Sequence, residues 1–150
     1  MIKPINIGRE GPMLDFAEEI EFGECMDWIQ NLKDTFESVK ESAAGLAMNQ
    51  IWDEEEYYPI RVFIAKNPVD GEGMVFINPY GKGSGGHIKM EEGCLSFPGR
   101  KVLKSRHKNF TIIYLDENGE EQNFKATHPF SAVLQHELDH LNGIVCIPKS

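Results

Sequence analysis

The sequence has few cysteines and no long apolar run, and both shortages restrict where the protein can act. Its three cysteines, Cys25, Cys94 and Cys146, are too few and odd in number for a disulfide framework. No window approaches the length of a membrane span, and the N-terminus carries no apolar run of signal-peptide length. We therefore predict a cytoplasmic protein in a reducing compartment, with no membrane partner.

Basic residues are also scarce. The chain has 15 Lys and Arg against 24 Asp and Glu, which gives a net charge of -9. Such a surface repels phosphate backbones unless the few cations cluster. The only dense basic stretch contains Lys101, Lys104, Arg106 and Lys108, and it is interpreted as a solvated face. The sequence therefore predicts no direct nucleic-acid binding.

Apolar residues are plentiful enough for a packed core. The chain has 150 residues, of which 41% are hydrophobic, and this size predicts a single domain over residues 1–150. From residue 25 to residue 39 the apolar positions recur at steps of three and four, which predicts an amphipathic helix. Cys25 lies on its apolar face and is predicted to be a packing residue.

Four later segments, rich in Val, Ile and Phe or flanking a tight turn, predict strands at residues 61–65, 74–77, 109–115 and 121–125. Asn78 and Pro79 predict the end of the second strand, and Asn118 with Gly119 predicts a hairpin turn between the last two. The glycine-rich residues 81–86 lack the order of a phosphate-binding loop and are interpreted as a mobile loop.

Helical periodicity returns over residues 129–142. Pro129 suits a first helical turn, and Gly143 lies where a glycine is favoured after the last turn. The predicted fold class is therefore α+β, with mainly antiparallel sheets packed around this late helix and a further helix near the N-terminus.

The late helix carries a pattern typical of metal-dependent hydrolases. His136 and His140 are four residues apart, so both imidazoles project from one face and can meet one metal ion. Glu137 lies beside them and is placed to take a proton from water instead of binding the ion. Catalytic sites of this kind usually have three protein ligands and one open position, so a third ligand is needed.

Two cysteines compete for that third position. Cys94 follows Gly93, which allows the backbone to approach a ligand closely. Cys146 lies six residues after His140, where metzincin endopeptidases place a third histidine. From the residues alone, two alternatives stay open beside a site built on Cys94. One is an endopeptidase that uses Cys146 or has no third side-chain ligand. The other is a non-enzymatic module, in which either both cysteines close a structural metal site or the site only binds peptides.

Three motifs, in order, resemble those of the peptide deformylase family. Residues 43–50 (AAGLAMNQ) are similar to its first motif, while residues 92–96 (EGCLS) and 135–140 (QHELDH) match its second and third. Residues 76–79 (FINP) also match what the family shows before its second motif. A lone HExxH is moderately specific, but the three motifs together are highly specific, and they cover most of the chain from about Ser42 to Gly143.

The resemblance implies an activity and a metal. The activity is removal of the formyl group from the N-terminal formyl-methionine of nascent polypeptides, with release of formate. The implied ligands are Cys94, His136 and His140, which leaves Cys146 as a packing residue. The family typically uses Fe²⁺, and Zn²⁺, Ni²⁺ or Co²⁺ are expected to substitute for it.

The resemblance also implies roles for residues around the metal. Glu137 is expected to act as the general acid/base, and the Gln50 amide and the Leu95 backbone N–H are expected to stabilise the oxyanion. Arg106 is expected to pair with Glu92 and to hold the second motif in place.

Formyl-methionyl peptides are the expected partners, bound by strand addition. The positions expected to contact the peptide backbone are Ala44, Gly45 and Gly93. Ala132 and Val133 are expected to form the wall of the pocket for the methionine side chain.

The sequence departs from the family pattern in three places. Ala43 replaces the first glycine of the first motif and Met48 replaces its second alanine, and both are expected to reshape the active-site wall. The chain ends at Ser150, where many bacterial relatives continue into a helix associated with ribosome docking. Docking in that manner is therefore not expected, and the short ending resembles compact members carried by bacteriophages.

Overall fold

The computed structural model describes residues 1–8, 11–51 and 60–147. Five strands form one antiparallel sheet in which neighbours in the chain are neighbours in space, and two α-helices pack against it. The strands are β1 (Gly45–Ala47), β2 (Val62–Lys66), β3 (Gly73–Gly93), β4 (Lys101–Leu115) and β5 (Glu121–Thr127); the helices are α1 (Met26–Val39) and α2 (Phe130–Leu141). The predicted α+β fold class is confirmed.

The two helices cover opposite faces of the sheet, and the alternation of side chains along β2 shows why. Phe63 and Ala65 point into the core beneath α2, whereas Val62 and Ile64 point into the core beneath α1. A strand that is buried on both faces carries a continuous apolar run, as β2 does over its first four residues, before the partly exposed Lys66. Each fully buried aliphatic or aromatic side chain stabilises the fold by about 1.5–3 kcal/mol.

The predicted end of the second strand is wrong. Strand β3 continues past Asn78 and Pro79 to Gly93, and a register shift lies between Ile77 and Tyr80. Asn78 has φ 49, a left-handed conformation that asparagine tolerates better than most residues. Pro79 lies within the register shift, where the ladder does not need its missing N–H. The two residues therefore bend the strand instead of ending it.

The predicted mobile loop at residues 81–86 is also wrong, because these residues belong to β3 and most of them pair with β4. Gly81 and Gly83 make room for side chains of the opposite strand. A Cβ atom on Gly81 would lie 2.4 Å from the Phe110 ring, and one on Gly83 would lie 2.0 Å from the His107 ring. The glycines are thus packing positions, which composition alone does not distinguish from a loop.

Other boundaries differ by smaller amounts. Helix α1 begins at Met26, and Cys25 precedes it with φ 57, half-buried against the α1 core. Pro129 precedes α2 instead of lying in its first turn, while Gly143 follows the helix with φ 73, as predicted. Strand β4 begins eight residues earlier than expected, at Lys101. Strand β1 was not predicted, because its three residues are too few to show a period.

Within the described ranges, no helix combines the length and the apolar character that crossing a membrane requires.

Candidate active site

Helix α2 fixes the orientation of the two histidines. Its Leu134, Leu138 and Leu141 are buried in the core, so the helix cannot rotate without exposing them. His140 is 1% exposed, and His136, one turn earlier on the same face, is partly exposed. The helix therefore presents both imidazoles to one point, as the spacing predicted.

The turn after β3 brings a thiol to that point. The Cys94 Sγ atom lies 3.4 Å from His140 Nε2, and the two Nε2 atoms of His136 and His140 lie 3.2 Å apart. The three ligand atoms lie within 4.8 Å of one another. One sulfur and two imidazole nitrogens that converge in this way match the donor set of a tetrahedral metal site with one open position.

A buried ion pair positions His136 from behind. Arg106 is 5% exposed and donates two hydrogen bonds to the Glu92 carboxylate, at 2.9 and 2.8 Å. His136 Nδ1 donates to Glu92 Oε1 at 2.9 Å, which leaves Nε2 free to face the other ligands. Arg106 also donates to Asp139 on α2 at 2.5 Å. The predicted Arg106–Glu92 pair is confirmed, and it ties the second motif to the catalytic helix.

The charges in this network shift the pKa values of its members. Burial alone would raise the pKa of Glu92, but hydrogen bonds from Arg106 and His136 hold it at about 2. Burial opposes protonation of His136, yet its hydrogen bonds to Cys146, Cys94 and Glu92 outweigh burial and raise its pKa. Burial and the neighbouring cations lower the pKa of His140. Glu92 is thus a permanent anion that anchors the Nδ1 proton of His136.

Glu137 is 3% exposed, and its Oε1 atom is buried without a hydrogen-bond partner among the described residues. Burial raises its pKa to about 7. Gly45 lies directly against it, since a Cβ atom on Gly45 would be 2.8 Å from Glu137 Oε2. A carboxylate with a pKa near neutrality can both accept and donate a proton at physiological pH. The close approach of Gly45 leaves Glu137 little room for another rotamer.

Gln50 reaches the same point from the other side. Its side-chain oxygen accepts a hydrogen bond from the Ala47 backbone at 2.9 Å, which fixes the amide orientation. The Nε2 atom then points at Cys94 Sγ, at 3.5 Å, and at Ser96 Oγ, at 3.3 Å. Leu95 follows Cys94 and is half-buried at the cleft. The amide is therefore fixed with an N–H donor directed at the cysteine ligand.

A cleft of about 760 Å³ opens above these residues. The structure brings every predicted site residue to its surface except His140, which lies behind His136: Ala44, Gly45, Gln50, Gly93, Cys94, Leu95, Ala132, Val133, His136 and Glu137 line it. Of the two substitutions in the first motif, Ala43 also lines the cleft. Met48 does not line it and is buried in the α1 core, so its predicted effect on the wall is wrong.

The residues present fit a bound metal ion. Two Nε2 atoms and one sulfur face each other at 3.2 to 3.4 Å. Beside them stands the unpartnered carboxylate oxygen of Glu137. A divalent cation held by Cys94, His136 and His140 would satisfy the three donors and leave room for a ligand next to Glu137.

Cys146 lies close to this site but on its far side. It groups with Glu92 and His136, with ligand atoms within 4.8 Å, and not with Cys94 and His140. It also packs against Phe97 and Ile147 in a small core. Among the described residues no group of four ligand atoms forms, so this arrangement supports neither the closed four-ligand site nor the endopeptidase alternative.

The sequence matches the profile of the polypeptide deformylase family over residues 4–150, nearly its whole length. The chain belongs to that family. The motifs quoted above predicted this membership, and it is confirmed. Peptide deformylases are metal-dependent hydrolases, so the Cys94, His136 and His140 group lies in a family that requires a catalytic metal.

Relatives from bacteria and a phage resemble the chain. A peptide deformylase of Chlorobaculum parvum is 32% identical over 150 residues, which covers 99% of this chain and 80% of the relative. One of Thermodesulfovibrio yellowstonii is 45% identical over 76 residues, and the match spans about half of each protein, 51% and 46%. The deformylase of Vibrio parahaemolyticus bacteriophage VP16T, solved with actinonin, superimposes with a TM-score of 0.81 at 27% identity. That match covers 95% of this chain and 98% of the phage protein.

Two residues of the site were not predicted. Ser96 is fully buried and accepts a hydrogen bond from Gln50, although it belongs to the quoted second motif. Asp139 is the second acceptor of Arg106 and belongs to the third motif. Both residues belong to motifs that the sequence showed, but a sequence does not show which residues of two motifs contact each other.

Proposed function

We propose that the protein hydrolyses the formyl amide at the N-terminus of formyl-methionyl peptides and releases formate. The observation that carries the proposal is the buried Glu137, whose unpartnered oxygen stands beside the convergent Cys94, His136 and His140 at the floor of a cleft. A proton-transfer group and an open cation site at one point are what amide hydrolysis requires.

The proposed ligands of the ion are Cys94, His136 and His140. When bound, a divalent cation would polarise the formyl carbonyl and lower the pKa of water toward neutrality. The proposed ion is Fe²⁺, and Zn²⁺, Ni²⁺ or Co²⁺ would substitute, since a thiolate with two imidazoles accepts all of these. Glu92 supports the site by holding the Nδ1 proton of His136, so that Nε2 remains the ligand atom.

Glu137 moves the proton in the proposed reaction. Its carboxylate accepts the proton of the attacking water and then delivers it to the nitrogen of the departing methionine. A pKa of about 7 suits both halves of that task, because the group is ionised often enough to accept and acidic enough to donate. The absence of a side chain at Gly45 leaves the space that this carboxylate occupies.

Gln50 and Leu95 stabilise the developing charge. The Nε2 atom of Gln50 is fixed by the Ala47 contact and donates toward the formyl oxygen as it becomes negative. The backbone N–H of Leu95, next to Cys94, is the second proposed donor. Ser96 accepts from Gln50 and so restrains its amide on the side away from the substrate.

The peptide is proposed to bind as an added strand. Strand β1 lies at the edge of the sheet, and its Gly45, with the neighbouring Ala44, borders the cleft opposite Gly93 at the end of β3. An exposed edge offers backbone donors and acceptors to an extended peptide. Ala132 and Val133, on α2, line the cleft below this edge and form the proposed wall of the methionine pocket.

The proposed place of action is the bacterial cytoplasm, where formylated nascent chains arise, and residues 1–150 are proposed to act as one domain. A bacteriophage origin is compatible with the VP16T deformylase, which matches this chain over 98% of its own length. That phage protein was solved with actinonin. The same compound is proposed to occupy the cleft above Cys94 and Glu137 here.

Formate release from a short formyl-Met peptide tests the proposal. The protein is loaded anaerobically with Fe²⁺, and wild type is compared with Glu137→Gln and with Glu120→Gln, an exposed glutamate in the β4–β5 turn. We expect release by wild type and Glu120→Gln, inhibition by actinonin, and a loss of at least about 10²-fold in Glu137→Gln. A folded, metal-loaded wild type that releases no formate would refute the proposed function.

A further inference from the structure

The charge of the chain is divided unevenly between two parts of the fold. The arm formed by residues 80–108, which includes most of β3 and the first half of β4, contains seven Lys and Arg and only two Glu, a net charge of +5. Because the whole chain carries -9, the remaining residues sum to -14. The sequence prediction against nucleic-acid binding rested on the total charge and interpreted the stretch from Lys101 to Lys108 as a solvated face, without adding the cations of β3 to it.

Four lysines lie on the face of the sheet opposite α2, which is the face that α1 covers over β2. We call the part of this face on β3, β4 and β5 the outer face. Alternate residues of β4 share a face, and so do residues paired across strands. Lys101 and Lys89, which pairs with Ser105, therefore lie on the outer face. In one row across the sheet, Lys82 of β3 and Lys125 of β5 lie on either side of Thr111. All four lysines are exposed, whereas Arg106 points inward.

None of these lysines is neutralised within the described residues. Lys82, Lys89, Lys101 and Lys125 have no carboxylate at ion-pair distance, in contrast to Lys33 and Lys40 on α1. Among the paired residues of β3, β4 and β5, two glutamates share the outer face: Glu91, opposite Leu103, and Glu121, at the far end opposite Leu115. The ammonium groups of these four lysines are therefore available to bind an external anion.

Two aromatic rings lie on the same arm, with His87 between Lys82 and Lys89 along β3. His87 pairs with His107 across β3 and β4, and their ring centroids lie 4.4 Å apart. The His107 ring packs over Gly83, where a Cβ atom would clash with it, and His87 is exposed. A rigid ring with a free face is a platform on which a nucleobase can stack.

We propose that this outer face, which we call the basic face (Lys82, His87, Lys89, Lys101, His107 and Lys125), binds single-stranded RNA. The lysines contact the phosphates, and the histidine pair stacks on an unpaired base. The acidic remainder of the surface repels the same polyanion and so directs RNA to the basic face. Binding there would place RNA beside the cleft, because Lys101 also lines it.

An anionic membrane is the competing partner, and the surface chemistry favours RNA. The outer face of β4 carries Ser105, Asn109 and Thr111 between the lysines, and these side chains hydrogen-bond to sugars, phosphates and base edges. Leu103, 63% exposed, is its one large exposed apolar residue among those described on β4. On β3, Tyr80 is 59% exposed and lies opposite Ile113 on the same face. Interfacial membrane binding needs a broad apolar face beside the cations, which one leucine and one tyrosine on separate rows do not supply.

Fluorescence anisotropy with a labelled oligouridine of about 20 nucleotides, longer than a typical single-strand binding site, tests the proposal. Wild type is compared with the triple variant Lys82→Gln, Lys89→Gln and Lys125→Gln. The control variant carries Lys33→Gln, Lys40→Gln and Lys66→Gln, on and beside α1 and at the end of β2, which removes the same formal charge from residues outside the basic face.

We expect the basic-face triple variant to bind about tenfold or more weakly than wild type, and the control variant to bind within about twofold of it. The slope of log Kd against log salt should fall by about 2 in the basic-face variant only, because three phosphate contacts are lost. Equal weakening in both variants, or no binding by wild type at about 50 mM salt, would overturn the proposal. Binding to phosphatidylglycerol vesicles without binding to RNA would overturn it too.

His87→Ala separates stacking from charge, since this variant keeps every lysine. We expect it to weaken binding of the oligouridine roughly fivefold with an unchanged salt slope. An unchanged affinity would contradict the stacking part of the proposal. RNA binding is measured with and without chelator, and none of Lys82, Lys89 and Lys125 lines the cleft. The result therefore does not depend on the proposed deformylase activity, and the triple variants should retain formate release.

Discussion

Glu137 shows what burial does to a single carboxyl group. In the folded protein its pKa is about 7, against an ordinary value of 4.5, and the first cause is loss of solvent. A raised pKa means that the folded state binds the proton more tightly than the unfolded state does. The contribution of Glu137 to stability is thus fully present below pH 4.5 and is lost as the pH rises through 7.

We predict that Glu137→Gln stabilises the metal-free protein at pH 8 and has little effect at pH 4.5. The amide cannot ionise, so the variant avoids an uncompensated buried charge that costs up to about 3 kcal/mol. Urea unfolding at the two pH values, in the presence of chelator, measures the difference. An effect of the same size at both pH values would contradict the assignment of the raised pKa to Glu137.

Glu92 shows the opposite shift, to a pKa of about 2, because Arg106 and His136 stabilise its anion. Its stabilising contribution is present above pH 4.5 and is lost as the pH falls through 2. We predict that wild type loses stability steeply across this window, whereas Glu92→Gln, less stable at pH 7, shows a flatter profile. Unfolding midpoints measured from pH 7 down to pH 2 give both slopes, and parallel slopes would argue against the shift.

Arg106 neutralises two carboxylates, of which Glu92 is buried as deeply as the arginine is. We predict that Arg106→Met costs about 3–5 kcal/mol at pH 7, since it leaves Glu92 buried and charged without its cation. The double variant Arg106→Met with Glu92→Gln should recover part of that loss. If the double variant is no more stable than the single one, the cost comes from packing and not from charge.

At the scale of elements, the end of helix α2 depends on one glycine. Gly143 has φ 73, and a Cβ atom there would lie 2.6 Å from the Leu14 carbonyl oxygen. Gly86, in β3, has the nearly equal φ of 78 but faces open space. A substitution would therefore strain the backbone equally at both glycines, but only at Gly143 would the new side chain clash with a neighbour.

We predict that Gly143→Ala lowers the free energy of unfolding by clearly more than Gly86→Ala does. The left-handed conformation alone costs about 1–2 kcal/mol in either variant, and the clash with Leu14 is added only at Gly143. Chemical denaturation of both variants measures the difference. Equal costs would mean that the segment around Leu14 moves aside freely.

In strand β3, the structure predicted from the sequence pattern differs from the structure that packing produces. Asn78, Pro79 and the glycines of residues 81–86 are turn formers by composition, and they predict a strand end and a loop. The structure keeps them in the ladder, because bulges absorb Asn78 and Pro79 and because Phe110 and His107 fill the space above the glycines. The pairing with β4 decides that these residues form a strand, and the residues of β4 that they contact lie more than 20 positions later in the chain.

At the scale of the whole molecule, the proposed metal would join two elements that otherwise meet only through side chains. Cys94 lies in the turn after β3, and His136 and His140 lie on α2. A ligand that binds only the folded state stabilises it by about 3 kcal/mol at a hundred times its Kd.

We predict that Co²⁺ or Zn²⁺ raises the Tm by roughly 5–10 °C for a chain of this size. The gain should disappear in Cys94→Ser and persist in Cys146→Ser, because Cys146 does not group with His140. Differential scanning calorimetry with and without metal measures it. Loss of the gain in Cys146→Ser but not in Cys94→Ser would exchange the roles of the two cysteines.

The sequence by itself determined the family and named the residues that we propose carry the chemistry. The spacing of His136 and His140 on one helix is a local property. Each of the three motifs is a short run of residues that can be recognised without the fold, and together they specify the family. It also determined most helices and strands, whose periods are local. It left Cys94 and Cys146 as rivals, and only the resemblance chose between them.

The tertiary structure alone decided which distant groups meet. It placed Cys94 at His140, Arg106 between Glu92 and Asp139, and Gln50 against Ser96. It also buried Glu137, which moved its pKa, and gathered the lysines of β3, β4 and β5 onto one face. The physical reason is common to all of these. Burial, charge separation and ligand geometry depend on distances between segments far apart in the chain, and sequence spacing specifies only the distances within a segment.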